Sequence, residues 1–304
     1  MPTFDFPTWF LSLVLALFGL VFGSFANVLI HRLPLEDQVE RDVVKRPSHC
    51  PKCKARIRPW HNIPLLSWIW LRGRCASCGC RIPLRYPLVE LLGGILLAGS
   101  VWVFPFGTLI WAKGLICGYA LIVLFFTDLT EFILPDVIQL PLMLLGLLFT
   151  VPQMLWPGPM TSVWAPAQTI LRVQTFSNGL QPAPAWSGLG LRVTWLSSLV
   201  GLAVGYLVPA AMNQIYRWIR KTDGIGMGDF KMLAWLGAFW GWGAMLGILF
   251  GGALLGSVVG LALIVARRGG SQTMLPFGCA LALATPVVVF YGPTMWYAYL
   301  GLMR

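Results

Sequence analysis

Two kinds of residue in this 304-residue chain are placed to do chemistry: paired cysteines, and isolated acids beside apolar runs. The stretches "HCPKC" and "RCASCGC" hold Cys50 with Cys53 and Cys75 with Cys78, two C-x2-C pairs separated by twenty-one residues. Two such knuckles bring four thiolates to a tetrahedral zinc ion, each turn supplying two donors. With all four positions filled by protein, the metal would be structural and would fold a segment that has little core of its own. A disulfide framework, thiol redox chemistry and inert thiols are the alternatives, and a reducing compartment disfavours the first. Cys80 is a fifth thiol able to replace Cys78, although the spacing favours Cys78. Cys117 and Cys279 stand in apolar runs and read as packing residues.

The acids are few. Only eleven Asp/Glu occur, and none lies between Val137 and Thr222. An acid in or beside a membrane span is costly, so each needs a reason. Asp136 follows "ILP" at a helix start, where capping and the helix dipole account for it. Glu90, in "RYPLVELL", is a candidate partner for Arg85. Asp128 closes the run "CGYALIVLFFTD", a helix C-terminus that gives its charge no dipole benefit. Asp229 opens the run of "GIGMGDFKML", behind Gly226 and Gly228, which permit close backbone approach or positive φ. Lys231, two residues on, can snorkel to the interface or stabilise a carboxylate, a lipid phosphate or an acidic substrate residue. If helix ends bring Asp128 and Asp229 together, the two carboxylates share a proton, and one can activate water while the other protonates a carbonyl oxygen. Proton-coupled transport uses membrane acids of the same kind.

The elements that must position these groups are membrane helices. Hydrophobic residues make up 57% of the chain, charged ones only 11%, and the mean hydropathy is +0.74. Apolar windows predict an all-α polytopic membrane protein with helices at roughly 9–30, 87–105, 108–127, 136–153, 194–214, 231–249, 250–266 and 278–300. The first is too long for a signal-peptide core and is expected to be retained. Twelve of the twenty-two Lys/Arg fall between His31 and Arg85, and six more lie in later loops on the same side. The positive-inside rule then puts the 31–85 loop and the acids Asp128 and Asp229 on the cytoplasmic side. The expected organisation is a first span over 1–30, a basic zinc-binding cytoplasmic domain over 31–86, and a membrane domain over 87–304 with an external loop at 153–193. A net charge of +11 is accounted for by this topology and by anionic headgroups, so no nucleic-acid partner is expected.

Several stretches together, "GSFANVLIHRLP", "CPKC" through "RCASCGCRIPLRYPLVELL", "FTDLTEFILPD", "GIGMGDFKML" and "PFGCALALA", resemble the type IV prepilin peptidases of the bacterial inner membrane. They cover nearly the whole chain in the family's order. The resemblance implies that Asp128 and Asp229 are the catalytic pair of a GxGD aspartic protease, with Asp136, Gly226, Gly228 and Lys231 supporting. It implies cleavage of the basic leader of prepilins or pseudopilins at the cytoplasmic face, followed by methylation of the new amine with S-adenosylmethionine. It also places that second activity in or beside the zinc-bearing loop. A proton-coupled transporter using Asp128, Asp229 and Glu90, and a thiol oxidoreductase using the cysteine pairs, are the rival readings.

Overall fold

The computed structural model describes residues 6–35, 37, 41–43, 47–104, 106–151, 195–221, 224, 226–265 and 276–302. The predicted external loop 153–193 and the cations Arg267 and Arg268 lie outside them. Among the described residues there is no β-strand beyond two isolated bridges, and the chain divides into two units between Thr127 and Asp128.

In the first unit, α1 (Thr8–Arg32) and α3 (Arg85–Val103) form an antiparallel pair. Trp102 Nε1 donates to Ser12 Oγ at one end, 2.7 Å, and Asn27 Nδ2 to the carbonyl of Tyr86 at the other, 2.9 Å. The pair can close because Gly19 and Gly23, four apart on α1, face Gly93 and Gly94; a Cβ on Gly23 would stand 2.6 Å from the Glu90 Cα. Apolar burial gives membrane helices no mutual attraction, so close packing of this kind holds them instead. The connection between them carries a 3₁₀ turn (Pro59–Asn62) and the five-residue α2 (Leu66–Trp70). Glu90 does not pair with Arg85 as expected; its Oε2 accepts the amide of Leu65, 2.8 Å, because the loop folds back over the start of α3.

The second unit is built around α7 (Met227–Val265), with α5 (Asp136–Leu148), α6 (Trp195–Arg220) and α8 (Phe277–Leu302) against it. The boundary falls within α4 (Leu109–Glu131), whose last residues open this unit. The sequence predicts two spans, 231–249 and 250–266, and the break between them lies at Gly241, not at 249/250. Its φ of 82° and ψ of 169° belong to a region that only glycine occupies readily. The chain turns back there. Leu134 meets the Cβ positions of both Gly228 and Gly278, while Phe277 reaches Gly256. An unbroken helix would hold residues 228 and 256 about 42 Å apart. The first arm, enclosed on several sides, is buried at every residue from Met232 to Gly241, which is why it is apolar all round. Gly201 and Gly205 of α6 seat it closely, against Gly237 and the Leu233 carbonyl.

Among the described residues five helices, α1, α3, α4, α6 and α7, are long and apolar enough to cross a membrane; α5 and residues Phe277–Gly292 of α8 are shorter apolar helices. Each of the eight predicted apolar segments overlaps a described helix, although α5 ends at Leu148, short of the predicted 136–153, and the predicted 231–249 runs across the break at Gly241.

Candidate active site

Asp128 lies in the last turn of α4, 5% exposed, and the amide of Phe132 closes that turn on the Asp128 carbonyl, 3.0 Å. Phe132 then takes a φ of 55°, so the chain reverses through Ile133 and Leu134 to Pro135, whose extended ψ launches α5. Asp229 lies in the first turn of α7, 7% exposed, with its amide donating to the Gly226 carbonyl, 3.1 Å. Both acids line one cavity of about 270 Å³, together with Leu134, Asp136, Gly226 and Gly228. That is room for several waters.

Close approach explains the glycines. A Cβ on Gly228 would stand 2.9 Å from the Leu134 Cβ, and one on Gly226 would stand 3.2 Å from the Asp229 Oδ2. A third helix end completes the site. The amide of Cys279, in the first turn of α8, donates to Asp128 Oδ2, 2.8 Å, and a Cβ on Gly278 would come within 2.9 Å of the same oxygen. The positive end of a helix therefore faces Asp128, and Asp229 stands at the positive end of another. Asp136, 52% exposed, opens α5 as expected, but its carboxylate also takes both oxygens to Lys231 Nζ at 2.7 Å, tying the start of α5 to the start of α7.

The cysteine pairs form two matching knuckles. His49 bridges Arg56 and Arg74 bridges Arg81. Inside each turn the first cysteine exchanges backbone bonds with the far side: Cys50 N to Ala55 O, 2.9 Å, and Cys75 N to Cys80 O, 2.8 Å. The residue after the second cysteine has positive φ in both, Lys54 at 56° and Gly79 at 69°. The Sγ atoms of Cys50, Cys53, Cys75 and Cys78 all lie within 4.8 Å of one another. The edge of a tetrahedron with zinc–sulfur bonds of 2.3 Å is about 3.8 Å, so the four thiols fit the ion after small adjustment. Cys80 is close too, its Sγ 3.7 Å from that of Cys50. Burial opposes ionisation of Cys50, but the amides of Cys53 and Lys52 outweigh it and hold the thiol near pKa 6. Cys80, beside Cys78, is pushed up to about 12. Thiols this crowded cannot all ionise without a cation among them, and a metal dication held by them would supply that charge.

Comparison with known proteins places the chain in one lineage. The Bacterial Peptidase A24 N-terminal domain matches residues 17–104, and the Type IV leader peptidase family matches residues 171–261. A relative from Aeromonas salmonicida named prepilin leader peptidase/N-methyltransferase is 34% identical, covering 96% of this chain and 94% of its own. The chain belongs to the type IV leader peptidase family. A Xanthomonas campestris relative of the same name is 35% identical over 93% of this chain and 92% of its own, and one from Pseudomonas aeruginosa 31% over 99% and 98%. No solved structure matches. With its apolar helices, this family member is a multi-pass membrane protein.

For the peptidase, sequence reasoning singled out both cavity acids, both glycines and the lysine, and the fold brings them to one end of the second unit. It missed the contribution of α8. Cys279 reads as a packing residue from its apolar surroundings, yet both its main-chain amide and its thiol hydrogen-bond Asp128. Gly278→Ala is expected to lower cleavage roughly 10-fold to 100-fold by displacing the Asp128 carboxylate. Gly99→Ala, where a Cβ meets nothing within 4 Å, should leave the rate unchanged. Lys231→Met should lower thermal stability by less than about 1 kcal/mol, because the ion pair is half in solvent, and an Asp136→Lys, Lys231→Asp double reversal should regain part of it in a melting experiment. Cys78→Ser should retain partial metal through Cys80 and Cys78→Ser, Cys80→Ser none, measured as metal per protein.

Proposed function

We propose that this family member cuts the basic leader from type IV prepilins or pseudopilins with Asp128 and Asp229 as its catalytic pair, then methylates the new N-terminal amine with S-adenosylmethionine. The observation that carries the reading is the shared cavity: two buried carboxylates from distant parts of the sequence line one space of about 270 Å³ at the ends of helices. With one proton between them, the ionised acid takes a proton from water, whose oxygen attacks the scissile carbonyl carbon. The protonated acid donates to the carbonyl oxygen. On collapse the C–N bond breaks, a hydroxyl of the diol returns its proton to the second acid as the carbonyl reforms, and the amine leaves with a proton from the first acid. The Cys279 amide and the turn at Phe132 orient Asp128; Gly226 and Gly228 let the Asp229 carboxylate and the Leu134 side chain approach. Asp136 and Lys231 are supporting residues that bind one another at the rim.

A substrate made of a basic leader and an apolar helix would lie in the bilayer and present its junction at headgroup level, the depth at which helix ends stand. We place the site and the cysteine knuckles on the cytoplasmic side of the bacterial inner membrane, from the twelve cations of the 31–85 loop. Zinc, held by Cys50, Cys53, Cys75 and Cys78, would be structural there. Proton-coupled transport draws no support from acids at helix ends, since transporter sites lie near the midplane.

The test incubates purified protein with a prepilin and methyl-labelled S-adenosylmethionine. The expected result is a shortened product that carries label on its new N-terminus. Label transfer without shortening, or no change in the prepilin, would refute the proposal.

A further inference from the structure

Between Pro47 and Arg85 the chain has eight Lys/Arg and no acid. Within this stretch Trp60, Ile63, Leu66, Ile69 and Trp70 recur at intervals of three or four and are all exposed, from 43% at Ile63 to 74% at Trp70. Leu66, Ile69 and Trp70 share one face of α2 by helical periodicity. The other side of the same turn is committed inward: Trp68 Nε1 donates to the Ile82 carbonyl, 3.3 Å, and its ring lies 2.9 Å from the Cβ position of Gly73. The apolar face is thus held outward by the packing of its neighbour.

Its depth is set as well. The amide of Leu65, at the N-cap of α2 with a φ of 59°, donates to Glu90 Oε2. Glu90 lies five residues into α3, about 7.5 Å along a helix that is long and apolar enough to span the membrane. The bond pins α2 beside the mouth of a span, where headgroups meet acyl chains. Exposed cations flank the apolar face along the chain: Arg58, whose guanidinium lies over the Trp60 ring at 5.7 Å, then Arg72, Arg74 and Arg81. Large aromatic and aliphatic side chains flanked in the chain by guanidinium groups, at this depth, match an anionic lipid interface: the rings enter the acyl boundary while the cations are attracted to the anionic surface.

We propose that the 60–70 segment is a membrane-docking surface that seats the cysteine-knuckle region on anionic phospholipid. The inference needs only that the chain spans a membrane and stands whether or not Asp128 and Asp229 cut peptides. Docking would hold the connection between α1 and α3 flat against the leaflet without a further span.

The test uses the full chain in nanodiscs of phosphatidylcholine, with or without phosphatidylglycerol. The photocrosslinking residue benzoylphenylalanine replaces Leu66, Trp70 or, as a control on the exposed second knuckle, Ala76. Metal content and melting temperature verify that each labelled protein is folded. Lipid adducts are expected at positions 66 and 70, at least about fivefold above position 76, rising with phosphatidylglycerol and falling several-fold when Arg58, Arg72, Arg74 and Arg81 become Gln. Adducts to protein in place of lipid would mark an interface between copies and overturn the proposal. Equal lipid adducts at all three positions, or yields indifferent to phosphatidylglycerol, would overturn it too.

Discussion

Asp229→Asn is expected to reduce leader cleavage by a factor on the order of 10⁴ while leaving the protein folded. Asparagine has the volume of aspartate, so the buried first turn of α7, with its 3.1 Å bond from the residue-229 amide to the Gly226 carbonyl, is retained. What is lost is the second proton site. Asp128 alone can take a proton from water but has no partner to protonate the carbonyl oxygen. The effect should therefore fall on the rate constant, with little change in KM, because uniform binding of the substrate is untouched. A prepilin supplied already cleaved should still be methylated by this variant, which separates the loss from misfolding. Unimpaired cleavage by Asp229→Asn would remove the residue from the chemistry.

The second large effect is on the cysteine knuckles. Cys75→Ser, or removal of metal by a strong chelator, is expected to unfold the stretch from Cys50 to Arg81 and to cut methyl transfer more than about 10-fold. The reason lies in what else holds that stretch. Its described regular structure is two isolated bridges, one 3₁₀ turn and the five-residue α2, and Trp60, Ile63, Leu66, Ile69 and Trp70 are all exposed. With so little buried, four metal–thiolate bonds supply the order, and binding free energy becomes folding free energy. Cleavage should fall less than about threefold, since the cavity acids and their partners all belong to residues 128–304. Hydrogen exchange across residues 50–81, read with the two activities, checks both halves of this expectation. Protection unchanged after complete metal loss would show that the stretch folds by itself.

How far the sequence discloses this arrangement depends on where the information sits. Asp128 and Asp229 are legible because a carboxylate beside an apolar run is costly and so calls for a cause. The four cysteines are legible because C-x2-C spacing is the geometry of a knuckle. The break at Gly241 is not: the first arm of α7 is apolar on every side, so hydropathy runs on across the break, and its φ of 82° is visible only in the backbone. The role of Cys279 is hidden because a cysteine within an apolar run reads as packing, and nothing in its spacing marks the amide and thiol that meet Asp128. Lys231 carried several possible partners in the sequence; the parallel packing of α5 on the first arm of α7, ninety-five residues apart, selects Asp136 among them. Glu90 illustrates the converse. Arg85 is its neighbour along the helix, but the fold brings the amide of Leu65 onto Glu90 Oε2, while the Arg85 guanidinium lies over the Tyr86 ring at 5.3 Å.

The central claim is that Asp128 and Asp229 act as one unit, and the most direct test is single-turnover cleavage of a prepilin by Asp128→Ala, Asp229→Ala and the double variant. If the two carboxylates share one proton and one reaction, each single loss should equal the double loss within about threefold. Losses that multiply in the double variant, or wild-type cleavage by either single variant, would contradict it.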